Sequence, residues 1–186
     1  MFNKLKTRTK ILIGLPFFFV SIYFLIKSLR KGNNYISNKN SNVILMGGLD
    51  NRQGDLKIDQ QVELLKSTLQ NKKVIGFRYN DISGVANAIN ENPNSVVVLF
   101  SAGCSYSSKI SNEIKNKNNL FIVEPYASSQ NIKNIVNQAI ANGVPNKNVI
   151  VGQNVSRGLN VVPNATHTPP NTSHWNALKF VGTLIK

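Results

Sequence analysis

Apolar residues gather in short runs that do not alternate with polar ones. Val43-Ile44-Leu45-Met46, Val96-Val97-Val98-Leu99-Phe100, Leu120-Phe121-Ile122-Val123 and Val149-Ile150-Val151 are the clearest, and residues 73–79 carry another. Unbroken apolarity over four or five residues marks a strand covered on both faces, as in a parallel sheet. Between these runs, apolar residues return every three or four positions. Val62, Leu64, Leu65 and Leu69 predict a helix over 60–69, capped by Asp59. Val85, Ala86, Ala88 and Ile89 predict one capped by Asp81 or Ser83 and stopped by Asn92-Pro93. Ile110 and Ile114 predict a helix over 108–115. Ile132, Ile135, Val136, Ala139 and Ile140 predict a longer one, capped by Ser128 or Ser129 and ended by Gly143 and Pro145. Leu178, Val181, Leu184 and Ile185 point inward from a closing helix over 175–185.

The order is β-α-β-α-β-α-β-α-β-loop-α. Alternation of buried strands with amphipathic helices implies an α/β fold: a mostly parallel central sheet of about five strands, with helices on both faces. Residues 153–173 read as one long polar loop carrying Pro163, Pro169 and Pro170. Loops of that length in compact domains are usually functional or poorly ordered. Active residues in such folds sit at the carboxyl ends of strands.

Ahead of the domain lies a different kind of sequence. Residues 1–10 are basic, and 11–26 (ILIGLPFFFVSIYFLI) are apolar and uncharged. With flanking Leu29 and snorkelling lysines, residues 11–29 are expected to form a transmembrane signal-anchor, with Pro16 tolerated there. No small-residue cleavage site follows, so the anchor is expected to stay uncleaved. The positive-inside rule places the short N-terminus in the cytoplasm and the domain on the far side of the membrane. Residues 30–42 are polar and low in complexity and read as a flexible tether. The domain then occupies 43–186.

Charge follows this division. The chain carries a formal +14, and residues 1–31 supply +7 of it with no acidic residue. Half of the basic excess therefore flanks the apolar segment. The remainder is scattered, with Lys72-Lys73 and Lys115-Asn116-Lys117 as its densest pieces and no interleaved aromatics, so no nucleic-acid partner is expected. One cysteine, Cys104, excludes an internal disulfide and a cysteine zinc cluster. Two histidines, His167 and His174, argue against a dedicated transition-metal site, so neither metal nor cofactor is expected. Asp50, Asp55 and Asp81 fall in polar turns, where Asp is common without any metal. Three Asn-x-Ser/Thr triplets, at Asn154, Asn164 and Asn171, are matches expected by chance in so Asn-rich a chain.

The third run breaks into small residues, Ser101-Ala102-Gly103-Cys104-Ser105-Tyr106-Ser107. Within it, Gly103-Cys104-Ser105-Tyr106-Ser107 has the form small-x-Ser-x-small. This resembles the nucleophile elbow of α/β-hydrolases, with Ser in place of the last Gly. Gly47-Gly48-Leu49 follows the first strand, and His174 stands directly before the last helix. Together these features resemble an α/β-hydrolase core from Val43 to Ile185.

The resemblance implies a small, lidless, membrane-anchored serine hydrolase acting on a small acyl ester or lipid-derived substrate. Ser105 would be the nucleophile, His174 its base and Glu124 the acid behind the histidine. Backbone N–H groups of Tyr106 and of Gly48 or Leu49 would hold the oxyanion. Only Glu113 and Glu124 follow Ser105, and no acid follows the fifth strand, where the family commonly keeps it.

Plainer readings stand beside each of these. Ser105 also suits a helix cap, His174 a surface helix start, and Glu124, beside Pro125, an ordinary turn acid. His167 reads as solvated. Cys104 reads as a small buried filler or, in another frame, as the nucleophile. A third frame puts Gly103 at the nucleophile position between Ser101 and Ser105, which would leave a binding or structural module without catalysis.

Overall fold

The computed structural model describes residues 42–125, 130–152 and 162–185. The expected anchor and tether, and the Ser128/Ser129 cap, lie outside these residues. No helix among the described residues is long and apolar enough to cross a membrane.

Among the described residues six strands build one sheet: β1 (Val43–Met46), β2 (Val74–Phe77), β3 (Val96–Phe100), β4 (Leu120–Val123), β5 (Val149–Val151) and β6 (Thr166–His167). Their spatial order is β2-β1-β3-β4-β5-β6, and every neighbouring pair is parallel. The helices are α1 (Ile58–Lys66), α2 (Ile82–Glu91), α3 (Ser107–Glu113), α4 (Gln130–Ala141) and α5 (Asn176–Leu184). The chain thus winds outward in both directions from β1 and β3, and the reversal of strand order there leaves a crevice at their carboxyl ends.

The unbroken apolarity of the strands has a direct structural cause. Alternate residues enter two separate cores. Ile44, Met46, Val97, Leu99 and Ile122 pack with Val85 and Ile89 of α2, Ile110 of α3 and Val136 of α4. Val43, Leu45, Val98, Phe100, Val123 and Ile150 pack with Leu65 of α1 and Leu178 and Val181 of α5. With both faces covered, neither set of side chains can be polar. Gly182 allows α5 to meet α1: a Cβ there would lie 2.0 Å from Thr68 Oγ1 and 3.0 Å from the Leu65 carbonyl. Thr68 Oγ1 donates across the same contact to the Lys179 carbonyl at 3.0 Å.

Several expectations need correction. The sheet has six strands rather than five, because Thr166-His167 adds to β5 inside the stretch read as a loop. A two-residue strand is too short to show any periodicity. Helix α1 starts at Ile58, so Asp59 lies in its first turn and does not cap it. The entry is instead closed by Gln60, whose side chain accepts from the Lys57 N–H at 2.9 Å. Asp81 caps α2, accepting from the Gly84 N–H at 2.9 Å. Leu184 does not point inward; it is the last residue of α5 and is 37% exposed, at the margin of the stripe formed by Leu178, Val181 and Ile185.

At the amino edge of the sheet, asparagines tie the incoming turns together. Asn42 Nδ2 donates to Asn92 Oδ1 at 3.1 Å, and Asn119 Nδ2 to the Asn94 carbonyl at 3.3 Å. Asn148, buried, donates to the carbonyls of Asn118 and Leu120 at 2.8 and 3.0 Å.

Candidate active site

The turn after β3 departs from ordinary backbone geometry. Residues Ser101–Tyr106 form a 3-10 turn that runs straight into α3. Its first residue, Ser101, has φ +53°. A non-glycine residue held in the left-handed region costs roughly 1–2 kcal/mol. Such a cost persists where the surroundings fix the conformation, and these positions cluster at functional sites.

Two glycines make that conformation possible. At Gly103 a Cβ would stand 2.7 and 2.8 Å from the carbonyl oxygens of Met46 and Gly47, so only glycine lets the turn rest on the end of β1. At Gly48 a Cβ would stand 2.9 Å from Ser101 Cβ. The Gly47-Gly48 turn and Ser101 are therefore pressed together at the crevice between β1 and β3.

His174 reaches the same place from just ahead of α5. Its ring centroid lies 4.7 Å from that of Phe100, the residue directly before Ser101, and 5.2 Å from that of Trp175. Trp175 packs on Phe100 as well, at 5.6 Å. The three rings fix the imidazole over the carboxyl end of β3. On its other side, His174 Nδ1 lies 3.3 Å from Glu124 Oε2, with the side chains 22% and 13% exposed.

Glu124 directly follows β4 and is itself at φ +50°. Its N–H donates to the Ile150 carbonyl at 2.8 Å, which anchors the backbone to β5. The carboxylate leans over Gly152, where a Cβ would meet Glu124 Oε1 at 2.5 Å. Thus the absence of an acid after the fifth strand is answered geometrically. An acid after the fourth strand reaches the histidine because the residue after the fifth strand has no side chain.

The expected site residues divide. His174 and Glu124 are brought together. Ser105 is the fifth residue of the 3-10 turn, half-buried, and makes no side-chain hydrogen bond among the described residues. Tyr106 ends that turn, so its N–H belongs to the helical ladder rather than to an oxyanion site.

The Gly48 N–H is committed to buried Gln61, whose Oε1 accepts it at 2.8 Å while Nε2 donates to the Leu56 carbonyl at 2.8 Å. Leu49 N–H has no partner among the described residues, and Ala102 N–H falls among the first donors of the 3-10 turn, which lack helical acceptors.

Cys104 is fully buried, with Sγ 3.2 Å from the Leu99 carbonyl and 3.3 Å from that of Val123. Burial drives its thiol well above the ordinary range. It is a packed filler and not a nucleophile. His167 is exposed on β6.

The acids of the β1 turn have structural partners. Asp50 is buried and receives Arg78 through Nη2 at 2.8 Å and Nε at 3.3 Å. Asp55 Oδ2 accepts from the Arg52 N–H at 3.0 Å. Among the described residues no three His, Cys, Asp or Glu side chains gather as a metal site would require.

Ser101, Gly152 and Phe100 are the contributors that sequence reasoning missed. A signal for the first was present. Ser101-Ala102-Gly103 is the second half of the G-x-S-x-G pattern and sits directly on the end of the strand, where that motif's sharp turn belongs. No family model, curated protein or solved structure matches this chain.

Proposed function

We propose that this domain is a membrane-tethered serine hydrolase of α/β-hydrolase type that cleaves esters, with Ser101 rather than Ser105 as its nucleophile. The observation that carries this reading is the left-handed Ser101 directly after Phe100, under an imidazole that rests on that phenyl ring and is backed by Glu124.

The chemistry follows from these placements. With Nδ1–H donating to Glu124, His174 presents Nε2 as the base that takes the Ser101 proton. The carboxylate fixes that tautomer and stabilises the imidazolium as it forms. Ser101 Oγ adds to the ester carbonyl, and negative charge develops on the carbonyl oxygen. Ala102 N–H, directly after the nucleophile, and Leu49 N–H are the donors assigned to that oxygen. Gln61, by occupying Gly48 N–H, holds the Gly47-Gly48 turn in shape beside them. His174 then returns the proton to the leaving alcohol, and water repeats the sequence on the acyl-enzyme.

One observation favours the rival reading, a non-catalytic module on the same tether. Ser101 is 8% exposed, and its Oγ makes no hydrogen bond to His174. In a hydrolase such nucleophile–base bonds are often long until substrate binds.

A fluorophosphonate probe separates the two. The hydrolase reading expects the folded protein to label, Ser101→Ala to lose labelling and Ser105→Ala to retain it. Folded wild-type protein that stays unlabelled favours the module. Labelling lost only in Ser105→Ala returns the nucleophile to Ser105.

A further inference from the structure

We infer that the amino edge of the sheet, opposite the candidate active site, is a docking surface for an anionic phospholipid bilayer. This rests on the membrane-tethered half of the reading above and is independent of its chemistry.

The argument begins with topology. All six strands are parallel, so every turn leading into a strand lies on one edge, and each crossover helix ends on that edge. Charge is divided unevenly between the two edges. Among the described residues the amino edge carries Lys66, Lys72, Lys73, Lys115, Lys117 and Lys147 against Glu63, Glu91 and Glu113, a net +3. Among the described residues the carboxyl edge carries Arg52, Lys57, Arg78, Lys109 and Lys133 against Asp50, Asp55, Asp59, Asp81 and Glu124, which cancel. The excess positive charge of the described residues therefore sits on the edge away from Ser101.

That edge is also a stiff platform. Hydrogen bonds of Asn42, Asn119 and Asn148 join the turns that enter β1, β3, β4 and β5. Lys66 is held to Glu63 at 3.2 Å, and Lys117 Nζ donates to the Ser111 and Ile114 carbonyls at the end of α3. Lys73, Lys115 and Lys147 are exposed and have no acidic partner among the described residues.

Chain direction supplies the partner. Asn42, the residue entering β1, lies on this edge, and the apolar run 11–26 with its basic flank ends at Lys31. Eleven residues at roughly 3.5 Å each reach no further than about 40 Å, whatever their conformation. A leash of that length, attached at the basic edge, leaves that edge within reach of a bilayer. Each lysine near an anionic surface contributes about 1 kcal/mol, or roughly fivefold in binding, and acts within a Debye length. Tethering raises the local concentration of headgroups, so modest attraction suffices. The candidate active site then opens away from the membrane, toward water-borne esters rather than lipids in the same bilayer.

The test uses the full chain in nanodiscs of phosphatidylcholine alone or with phosphatidylserine. Cys104 is buried and unreactive, so a fluorophore attaches to a cysteine introduced at Asn94 on the amino edge or at Gln53 on the carboxyl edge. A headgroup-linked quencher reads proximity. The inference expects quenching at position 94 and not at 53, present only with phosphatidylserine and lost in 1 M salt. Lys73→Glu, Lys115→Glu and Lys147→Glu combined should weaken the docked state by about a hundredfold or more. Equal quenching at both positions, or quenching indifferent to phosphatidylserine, overturns the inference. So does a lysine-dependent gel shift with a short RNA duplex in the absence of any lipid response, which would reassign the edge to nucleic acid. Failure of the anchor reading shows separately, as extraction of the chain from neutral vesicles by alkaline carbonate. In that case the same quenching assay on phosphatidylserine vesicles still decides the edge.

Discussion

Glu124 offers its two carboxylate oxygens to different surroundings: Oε2 faces His174 Nδ1 at 3.3 Å, while Oε1 is buried over Gly152 without a hydrogen-bond partner among the described residues. A buried acceptor without a donor is costly, and the cost is tolerated where the group has a task. If that task is to orient His174, then Glu124→Gln keeps the shape and removes the charge. The amide is also able to present its NH2 to Nδ1 and favour the wrong tautomer. Fluorophosphonate labelling of Ser101 should slow by about 10²–10⁴-fold, with thermal stability preserved or improved. An unchanged labelling rate would remove Glu124 from the mechanism.

Gly152 tests the same pair from the other side. Adding one methyl group places carbon 2.5 Å from Oε1, so in Gly152→Ala the carboxylate must swing away. Position 152 follows β5 and Glu124 follows β4, outside either core, so the fold should survive with a small drop in melting temperature. Labelling should fall at least tenfold, and combining Gly152→Ala with Glu124→Gln should add little further loss. Full additivity would mean that the two residues act independently.

Ser101 permits a comparison that isolates backbone strain. Both Ser101→Ala and Ser101→Gly remove the hydroxyl and abolish labelling. Only glycine adopts φ +53° without penalty. The left-handed region costs a side-chain-bearing residue about 1–2 kcal/mol, and glycine's extra freedom in the unfolded chain returns roughly 0.5–1 kcal/mol of that. Urea unfolding should therefore find Ser101→Gly more stable than Ser101→Ala by on the order of 1 kcal/mol. Equal stability would mean that the left-handed turn relaxes once the hydroxyl is gone.

Much of this architecture was legible because burial on two faces writes itself plainly into sequence. Val96 to Phe100 and Leu120 to Val123 have no polar position to spare, and the helices between them keep their 3.6-residue stripes. His174 and Glu124 were legible for a related reason: strand ends and helix starts in a parallel sheet share one edge, so sequence order alone places them together. Ser101 was not, because a serine with positive φ looks like any other serine until the backbone is seen. The elbow pattern asks for a small residue two positions to either side of the serine, and Leu99 occupies the position of the motif's first glycine. Gly152 was silent because what matters about it is the atom that a Cβ would strike. Strand β6 was silent because its pairing comes from β5 and not from its own two residues.

Gln61 is a buried polar side chain whose two bonds hold the turn that faces Ser101. Replacing it with leucine keeps the volume roughly and strips both partners, leaving Gly48 N–H and the Leu56 carbonyl without their bonds. Each buried group so orphaned costs about 1–3 kcal/mol. Gln61→Leu should lower stability by a few kcal/mol in urea unfolding. It should also slow labelling, because the Gly47-Gly48 turn loses its support. A stability close to wild type would show that the turn is held by its contact with Gly103 alone.

Cys104 supplies a prediction in pH. Burial raises the folded thiol's proton affinity, whereas the unfolded thiol titrates near its ordinary value of about 8.5. Below that value both states carry the proton, and the difference contributes nothing to pH dependence. Above it the unfolded chain loses its proton while the folded chain keeps it, so unfolding gains free energy. Stability should then fall by up to about 1.4 kcal/mol per pH unit on the alkaline side. Cys104→Ala removes the titrating group, so its unfolding free energy, lower at neutral pH because of the small cavity, should decline less steeply between about pH 8.5 and 10.5. Alkylation by iodoacetamide gives the kinetic counterpart: the native protein should resist it through this range, and unfolding in urea should expose one thiol per chain. Parallel alkaline slopes for wild type and Cys104→Ala, together with ready alkylation of the native protein, would mean that the turn after β3 opens often enough to wet its own core.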